Sequence, residues 1–324
     1  MTEFLQLDLP ALLAAILAGG TCGLLGSFLV LRRESLLGDA LSHAVLPGIV
    51  VGFALTGLRS AGPMLLGALA AAVLATLAIG WVKRVARLES GAATGLVFTG
   101  FFAAGLVLLE VTGARSADLD VDCVLFGQLE TLVWLEATGL ASLFDPAALA
   151  GLPRQLGLLA AVALVAGLAV ALFWRPLQLI AFDPAFAASL GLRVGRWEMG
   201  LNLLIAAAAV AAFESVGSIL VVALLVCPPV ALRLLTDRYH VQVLGGAGLG
   251  AALGASGVLL AGPLPAALGV SLSLNAAGLI GTLAGLAVAA CLMVRQGRVA
   301  PALPTHAYSS RASVQRDPKN AAGE

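Results

Sequence analysis

Charge is scarce in this chain. Only 11 % of its 324 residues are Asp, Glu, Lys or Arg, where soluble domains carry about 25 %. Acids and bases balance to a formal net charge of +0, so a nucleic-acid partner gets no electrostatic support. Lysine occurs twice, at Lys83 and Lys319, and there is no G-x-x-x-x-G-K-[ST] phosphate loop. The chain is therefore not itself an ATPase of that class. Its four cysteines, Cys22, Cys123, Cys227 and Cys291, are scattered without a C-x-x-C pair, which argues against a disulfide framework or a structural zinc site. No soluble catalytic domain is visible, and no enzyme activity or permanently bound cofactor is expected.

What the chain does have is apolar surface: 60 % hydrophobic residues and a mean hydropathy of +1.03. That composition describes an integral membrane protein, with room for about eight to ten helices of roughly twenty residues each. Nine apolar spans are expected, over 9–31, 35–57, 62–82, 90–112, 156–176, 197–214, 216–234, 240–261 and 270–294. The boundary between the sixth and seventh rests on Glu214, Ser215 and Gly217; eight spans with a re-entrant segment is the alternative. The first run has no basic residue before it and Arg32-Arg33 after it, the reverse of a signal peptide, so it reads as a retained span. With the N-terminus outside, Arg59, Arg115 and Arg154 face outward and the other fifteen of eighteen basic residues face inward, as the positive-inside rule requires. The fold class expected is an all-α polytopic membrane protein of about eight to nine transmembrane helices. Its membrane body covers residues 1–296; the tail 297–324, rich in Pro, Ala, Ser and charge, reads as a disordered cytoplasmic extension.

Glycine recurs every fourth residue within spans, at Gly19/Gly23, Gly91/Gly95, Gly246/Gly250/Gly254 and Gly281/Gly285. Small residues at that spacing let helices approach closely, and generic packing accounts for each pair taken singly. Asn202 and Asn275 read as helix-to-helix hydrogen bonders. Pro228-Pro229 is expected to kink the seventh span.

Against this background Asp39 and His43 stand out. Four residues apart, they share one helical face. Measured from Arg33, Asp39 lies about 9 Å and His43 about 15 Å into the span. A carboxylate at the centre of a membrane helix costs about 2.5–3.5 kcal/mol on insertion scales, so a partner or ligand is expected. Pro47 frees the backbone carbonyl of His43, and loosened backbone at membrane depth lines a cavity. A carboxylate and a neutral imidazole can hold a divalent transition metal between them. One such pair is half a shell; two copies of the chain on a two-fold axis would supply two carboxylates and two imidazoles, a set that suits Mn²⁺, Zn²⁺ or Fe²⁺. A self-satisfied buried pair and a proton relay are the other readings.

Two polar stretches carry further signals. In Phe182-Asp183-Pro184-Ala185-Phe186-Ala187-Ala188-Ser189-Leu190-Gly191, Asp183 suits an N-cap, Pro184 the first helical position and Gly191 the stop. This predicts a two-turn helix on the inner side, either a knob for a soluble partner or an ordinary connector. On the outer side, Asp118, Asp120 and Asp122 would concentrate cations at an entrance, or form a solvated loop or docking rim. Glu110 and Glu214 read as interface residues near outer span ends; His240 and His306 read as wet and are assigned no role.

The run Leu31-Arg32-Arg33-Glu34-Ser35-Leu36-Leu37-Gly38-Asp39-Ala40-Leu41-Ser42-His43-Ala44-Val45-Leu46-Pro47-Gly48 closely resembles the signature of bacterial manganese/zinc/iron ABC-transporter permeases, the membrane subunits of high-affinity metal importers. Leu125-Phe126-Gly127 looks like that family's outer-loop motif, Phe182-Asp183-Pro184 through Ala187 to Gly191 like its coupling helix, and Val216-Gly217-Ser218 through Pro228-Pro229 like its penultimate core. The resemblance implies the ABC importer permease architecture in the bacterial inner membrane: two permease copies forming the pore, a cytoplasmic ABC ATPase gripping the coupling helices, and an extracytoplasmic metal-binding protein delivering the ion. It implies that Asp39 and His43 form a transient metal site, the metal being substrate rather than cofactor. The chain departs from the family at Leu274-Asn275-Ala276-Ala277-Gly278, where a D-x-P-[SA]-G element is usual, in a longer outer segment 128–155, and in its tail. The rival functions are a permease for a metal chelate of siderophore or cobalamin type, a proton-coupled secondary metal transporter, and a membrane scaffold.

Overall fold

The computed structural model describes residues 4–56, 61–112, 151–267 and 274–299, with residues 127, 129–137, 139, 142, 145, 148 and 149 of the segment between them. These residues form helices without a strand among them. In chain order the helices are α1 (Leu9–Leu31), α2 (Leu36–Ala44), α3 (Leu46–Thr56), α4 (Ala61–Val85), α5 (Ser90–Val111), α6 (Arg154–Leu172), α7 (Trp174–Phe182), α8 (Pro184–Ser189), α9 (Val194–Val216), α10 (Ser218–Leu235), α11 (Tyr239–Ala261), α12 (Pro263–Ala267) and α13 (Ala276–Val299). A π-helical turn, Phe4–Asp8, leads into α1.

Eight of these helices are long and apolar enough to cross a membrane. The second expected span is different: it is broken at Val45 into the half-helices α2 and α3. The break falls where Pro47 removes an N–H and crowds the carbonyl of His43. α3 runs antiparallel to the first half of α4, with Gly48 against Gly67 and Gly52 against Pro63. The two half-helices, of nine and eleven residues, therefore together return the chain to the end where α4 begins; neither alone covers about 30 Å of hydrocarbon. The doubtful boundary between the sixth and seventh spans is present at Gly217, whose φ of +81° ends α9 and starts α10. The fifth span stops earlier than its hydropathy suggests: α6 ends at Leu172, and Trp174 opens a separate helix, α7. α13 continues past residue 296 to Val299; the tail beyond it lies outside the described residues.

The core is built on α1 and α11. Gly19 and Gly23 lie against the backbone of Gly250 and Gly246, and Gly254 lies against Ala15, so closely that a Cβ at any of these glycines would strike the facing carbonyl. Two of the glycine pairs read from the sequence are thus the two sides of one seam. Gly95, Gly281 and Gly285, at the same spacing, meet nothing within 4 Å. One turn beyond the seam the Ser27 hydroxyl donates to the carbonyls of Gly23 (2.8 Å) and Gln242 (3.1 Å), and Gln242 Nε2 donates to the Pro229 carbonyl of α10 (2.8 Å). Asn275 is not a helix-to-helix bonder: its Oδ1 accepts from the backbone N of Gly278 at 2.8 Å, capping the first turn of α13.

Side chains from α4, α5 and α9 meet the turn that follows α1 at one joint. α1 closes with Arg33 at φ +58°, the Glu34 N–H bonded to the Leu29 carbonyl (2.8 Å) and the Arg33 N–H to that of Val30 (3.2 Å). This turn delivers Glu34 to Arg32 (2.6 Å), to Lys83 of α4 (3.1 Å) and to the Ser90 hydroxyl of α5 (2.8 Å). Arg32 donates to Asn202 of α9 at 3.1 Å, the inter-helix role expected of that Asn. Burial alone would raise the Glu34 carboxyl, but Arg32, Ser90 and Lys83 outweigh it and hold the group below its usual value of 4.5. Because the folded value is depressed, the stabilisation is present above the unfolded value and is lost as pH falls through the folded one. Thermal unfolding in detergent should therefore show a drop in Tm on acidification below about pH 4.3. Glu34→Gln should lower stability by about 1–3 kcal/mol at neutral pH and flatten that acid limb; an unchanged limb counts against the joint.

Candidate metal site and docking helix

α2 turns Leu37, Gly38, Ala40 and Ala44 inward, with Gly38 beside Leu225 of α10 and Leu29 of α1. Helical periodicity then leaves Asp39 and His43 on the opposite face, their side chains 43 % and 28 % exposed. Asp39 Oδ1 and His43 Nε2 are 3.6 Å apart. That is too long for a good hydrogen bond. It is, however, the separation of two ligands each about 2.1 Å from one ion and subtending about 118°, close to tetrahedral geometry. The expected pair is therefore brought together, with both donor atoms toward each other. Among the described residues no group of three or more His, Cys, Asp or Glu side chains assembles, so the chain offers two donors at this place and not a closed shell.

The imidazole is held by two side chains that the sequence reading missed. Phe98 and Phe102, one turn apart on α5, place their ring centroids 5.5 and 5.6 Å from that of His43. A Phe pair at i, i+4 in an apolar helix carries no signal of its own; only the contact with His43 distinguishes it from lipid-facing aromatics. The neighbouring pocket under α2, of about 70 Å³, is lined by Lys83 and Arg84 as well as Glu34 and Glu198. This mixed lining does not select a cation.

The second expected element is also in place, shorter than foreseen. Phe182 ends α7; Asp183 Oδ1 accepts the Phe186 N–H at 2.9 Å, and Pro184 opens the six-residue α8. Ala187 is fully buried and seats the helix. Gly191 at φ +84° ends it, with Leu192 N–H to Ala187 O (3.1 Å) and Gly191 N–H to Ala188 O (3.0 Å). Phe182, Phe186 and Leu190 are 51 %, 51 % and 57 % exposed, so this short polar connector presents an apolar knob.

Asp118, Asp120, Asp122, Leu125, Phe126 and His306 lie outside the described residues. Gly127, at φ +75°, packs against the backbone of Val216 and Gly217, so the end of the outer-loop motif lands on the break between α9 and α10. Glu110 and His240 are exposed and Glu214 is half-buried.

The profile of the ABC 3 transport family matches residues 1–143 and 147–292, nearly the whole helical body. The chain belongs to the ABC 3 transport family. It is 37 % identical over 233 residues to the manganese transport system membrane protein MntC of Halalkalibacterium halodurans, covering 72 % of this chain and 71 % of that one. It is 35 % identical over 255 residues to the zinc transport system membrane protein TroC of Treponema pallidum, covering 78 % and 79 %. Its fold matches the structure of PsaBC from Streptococcus pneumoniae in complex with Fab, with a TM-score of 0.64, 26 % identity and coverage of 89 % of this chain and 90 % of that one. As an ABC 3 family member the chain is a multi-pass membrane transport subunit and not an enzyme.

Proposed function

We propose that this chain is the membrane-spanning permease subunit of an ATP-driven importer of a divalent transition metal, Mn²⁺, Zn²⁺ or Fe²⁺, with Asp39 and His43 forming a transient site on the ion's path. The observation that carries the reading is the 3.6 Å approach of Asp39 Oδ1 to His43 Nε2 on a half-helix inside a broken span. Irregular backbone at membrane depth lines a cavity, and an open pair of donors there serves a passing ion. A second copy would complete the shell with its own carboxylate and imidazole, which makes a homodimer the working unit. The naming of relatives as manganese and zinc transport proteins supports the metal class without choosing the metal.

The remaining parts follow from this reading. α8, with Phe182, Asp183, Pro184, Ala187 and Gly191, docks a cytoplasmic ABC ATPase; the opposite face receives an extracytoplasmic metal-binding protein. The basic helix ends lie in the cytoplasm of a bacterial cell, with the N-terminus outside. Purified permease reconstituted with its ATPase and binding protein should take up manganese, zinc or iron only when ATP is supplied, and uptake should persist when an ionophore collapses the proton gradient. Uptake that vanishes with the gradient would establish the proton-coupled alternative; uptake of a siderophore or cobalamin in place of the free ion would establish the chelate permease.

Gly191 gives a separate check. A Val there must adopt a left-handed conformation at a cost of about 1–2 kcal/mol, enough to unseat the end of α8. Gly191→Val should leave insertion intact and ATP hydrolysis running while uptake falls; normal uptake per ATP in this variant removes α8 from the docking role.

A further inference from the structure

We infer that Tyr239 is a positioning residue that transmits movement of α8 to the metal-bearing helix α2; this rests on the docking role proposed for α8. Tyr239 is the first residue of α11 and is 5 % exposed. Its ring meets three others from two helices: Trp174 at 4.8 Å, Phe182 at 5.9 Å and Phe28 at 6.2 Å, each edge-on. Trp174 and Phe182 are the two ends of α7, and Phe182 directly precedes the cap of α8. Phe28 is a fully buried residue of α1. Its neighbour Ser27 is tied to the Gln242 carbonyl of α11 at 3.1 Å, so the Tyr239 end of α11 and the last turn of α1 move as one body. One turn beyond Phe28, Arg32 grips Glu34, and α2 begins two residues after Glu34. A push on Phe182 is therefore received by a ring that abuts the last turn of α1, and α1 passes it through the Arg32–Glu34 joint to the half-helix that carries Asp39 and His43.

The chemistry of the contact is that of ring edges and faces. The Tyr239 hydroxyl is buried and has no hydrogen-bond partner among the described residues, so the ring and not the oxygen makes the connection. Close-packed aromatics transmit displacement because they have few rotamers and no void to absorb it. A flexible aliphatic side chain in the same space would fill part of the volume without passing on the motion.

The test uses the complete complex, permease with ATPase and binding protein in proteoliposomes, with Mn²⁺ and Zn²⁺ as probes. Uptake and ATP hydrolysis are measured together, and complex assembly is checked by co-purification. Tyr239→Phe should match the parent protein in both readouts. Tyr239→Leu should assemble and hydrolyse ATP while uptake per ATP falls at least tenfold. Trp174→Leu, at the other end of α7 and outside the docking set, should uncouple in the same way and serves if Tyr239→Leu does not fold. Normal uptake per ATP in either variant overturns the inference, as does a proportional loss of hydrolysis and uptake, which would mean packing alone. Phe186→Ala, on the outer side of α8, separates this from the docking role: if it keeps normal ATPase binding and uptake, the docking reading fails, whatever Tyr239 does.

Discussion

Asp39→Ala and His43→Ala are each expected to abolish metal uptake, by at least about 100-fold, with the protein still inserted at its normal level. The magnitude follows from the two-fold site proposed above. In a dimer each substitution removes two of four ligands at once, and even the loss of a group that merely orients a ligand weakens metal binding by about 10–100-fold. Stability should change little, because both side chains are partly exposed and their 3.6 Å approach is no strong mutual bond. Asp39→Asn is the sharper variant. It keeps shape and size but withdraws the charge that balances the ion, so uptake should fall nearly as far as with Ala. Uptake of the radioactive ion into vesicles, normalised to permease content, is the measurement. Full uptake by both Ala variants would remove the site, and with it the reason for assigning a metal to this path.

Phe98 and Phe102 should show a milder effect of another kind. They are not themselves candidate ligands; their rings pack on the His43 imidazole. Phe98→Leu leaves both ligands present but frees the ring, so the apparent affinity for the ion should weaken several-fold with little change in maximal rate.

The elements that were legible in the sequence share one property: their signal is local. Long apolar runs, the Asp39/His43 spacing, and the cap and stop at Asp183 and Gly191 can each be read from one stretch of chain. Pro47 even marked the place of the break at Val45, although the span there still read as one helix, because hydropathy is blind to a turn made of apolar residues. What stayed hidden needs a partner distant in the chain. Phe98 and Phe102 matter only because α5 lies beside α2. Glu34 becomes a joint only when Lys83 and Ser90 arrive from 49 and 56 residues away. Asn275 was misread because a single Asn at the edge of an apolar run has the same appearance whether it bonds another helix or caps its own.

The glycine pairs make the same point with a consequence for folding. Gly19/Gly23 and Gly246/Gly250/Gly254 could not be matched to each other by spacing alone, and Gly281/Gly285 looked identical to them. The seam between α1 and α11 now separates the two classes. Gly250→Leu should be severely damaging although it lies away from Asp39 and His43: its Cβ would meet the Gly19 carbonyl, a backbone atom that no rotamer can move aside. α1 and α11 would have to part, and the Ser27 hydroxyl and the Gln242 carbonyl would lose their mutual hydrogen bond as they did so. Forced overpacking of a core by a side chain costs about 1–3 kcal/mol or more, and stranding buried polar groups adds about 1–3 kcal/mol each. Those sums approach the whole net stability of a typical domain, about 5–15 kcal/mol. Gly250→Leu should therefore fail to accumulate in the membrane or melt far below the parent in detergent. Gly281→Leu, at the same spacing but with nothing within 4 Å of its Cβ, should insert and melt normally. Equal behaviour of the two variants would mean that the α1–α11 seam does not hold the fold together.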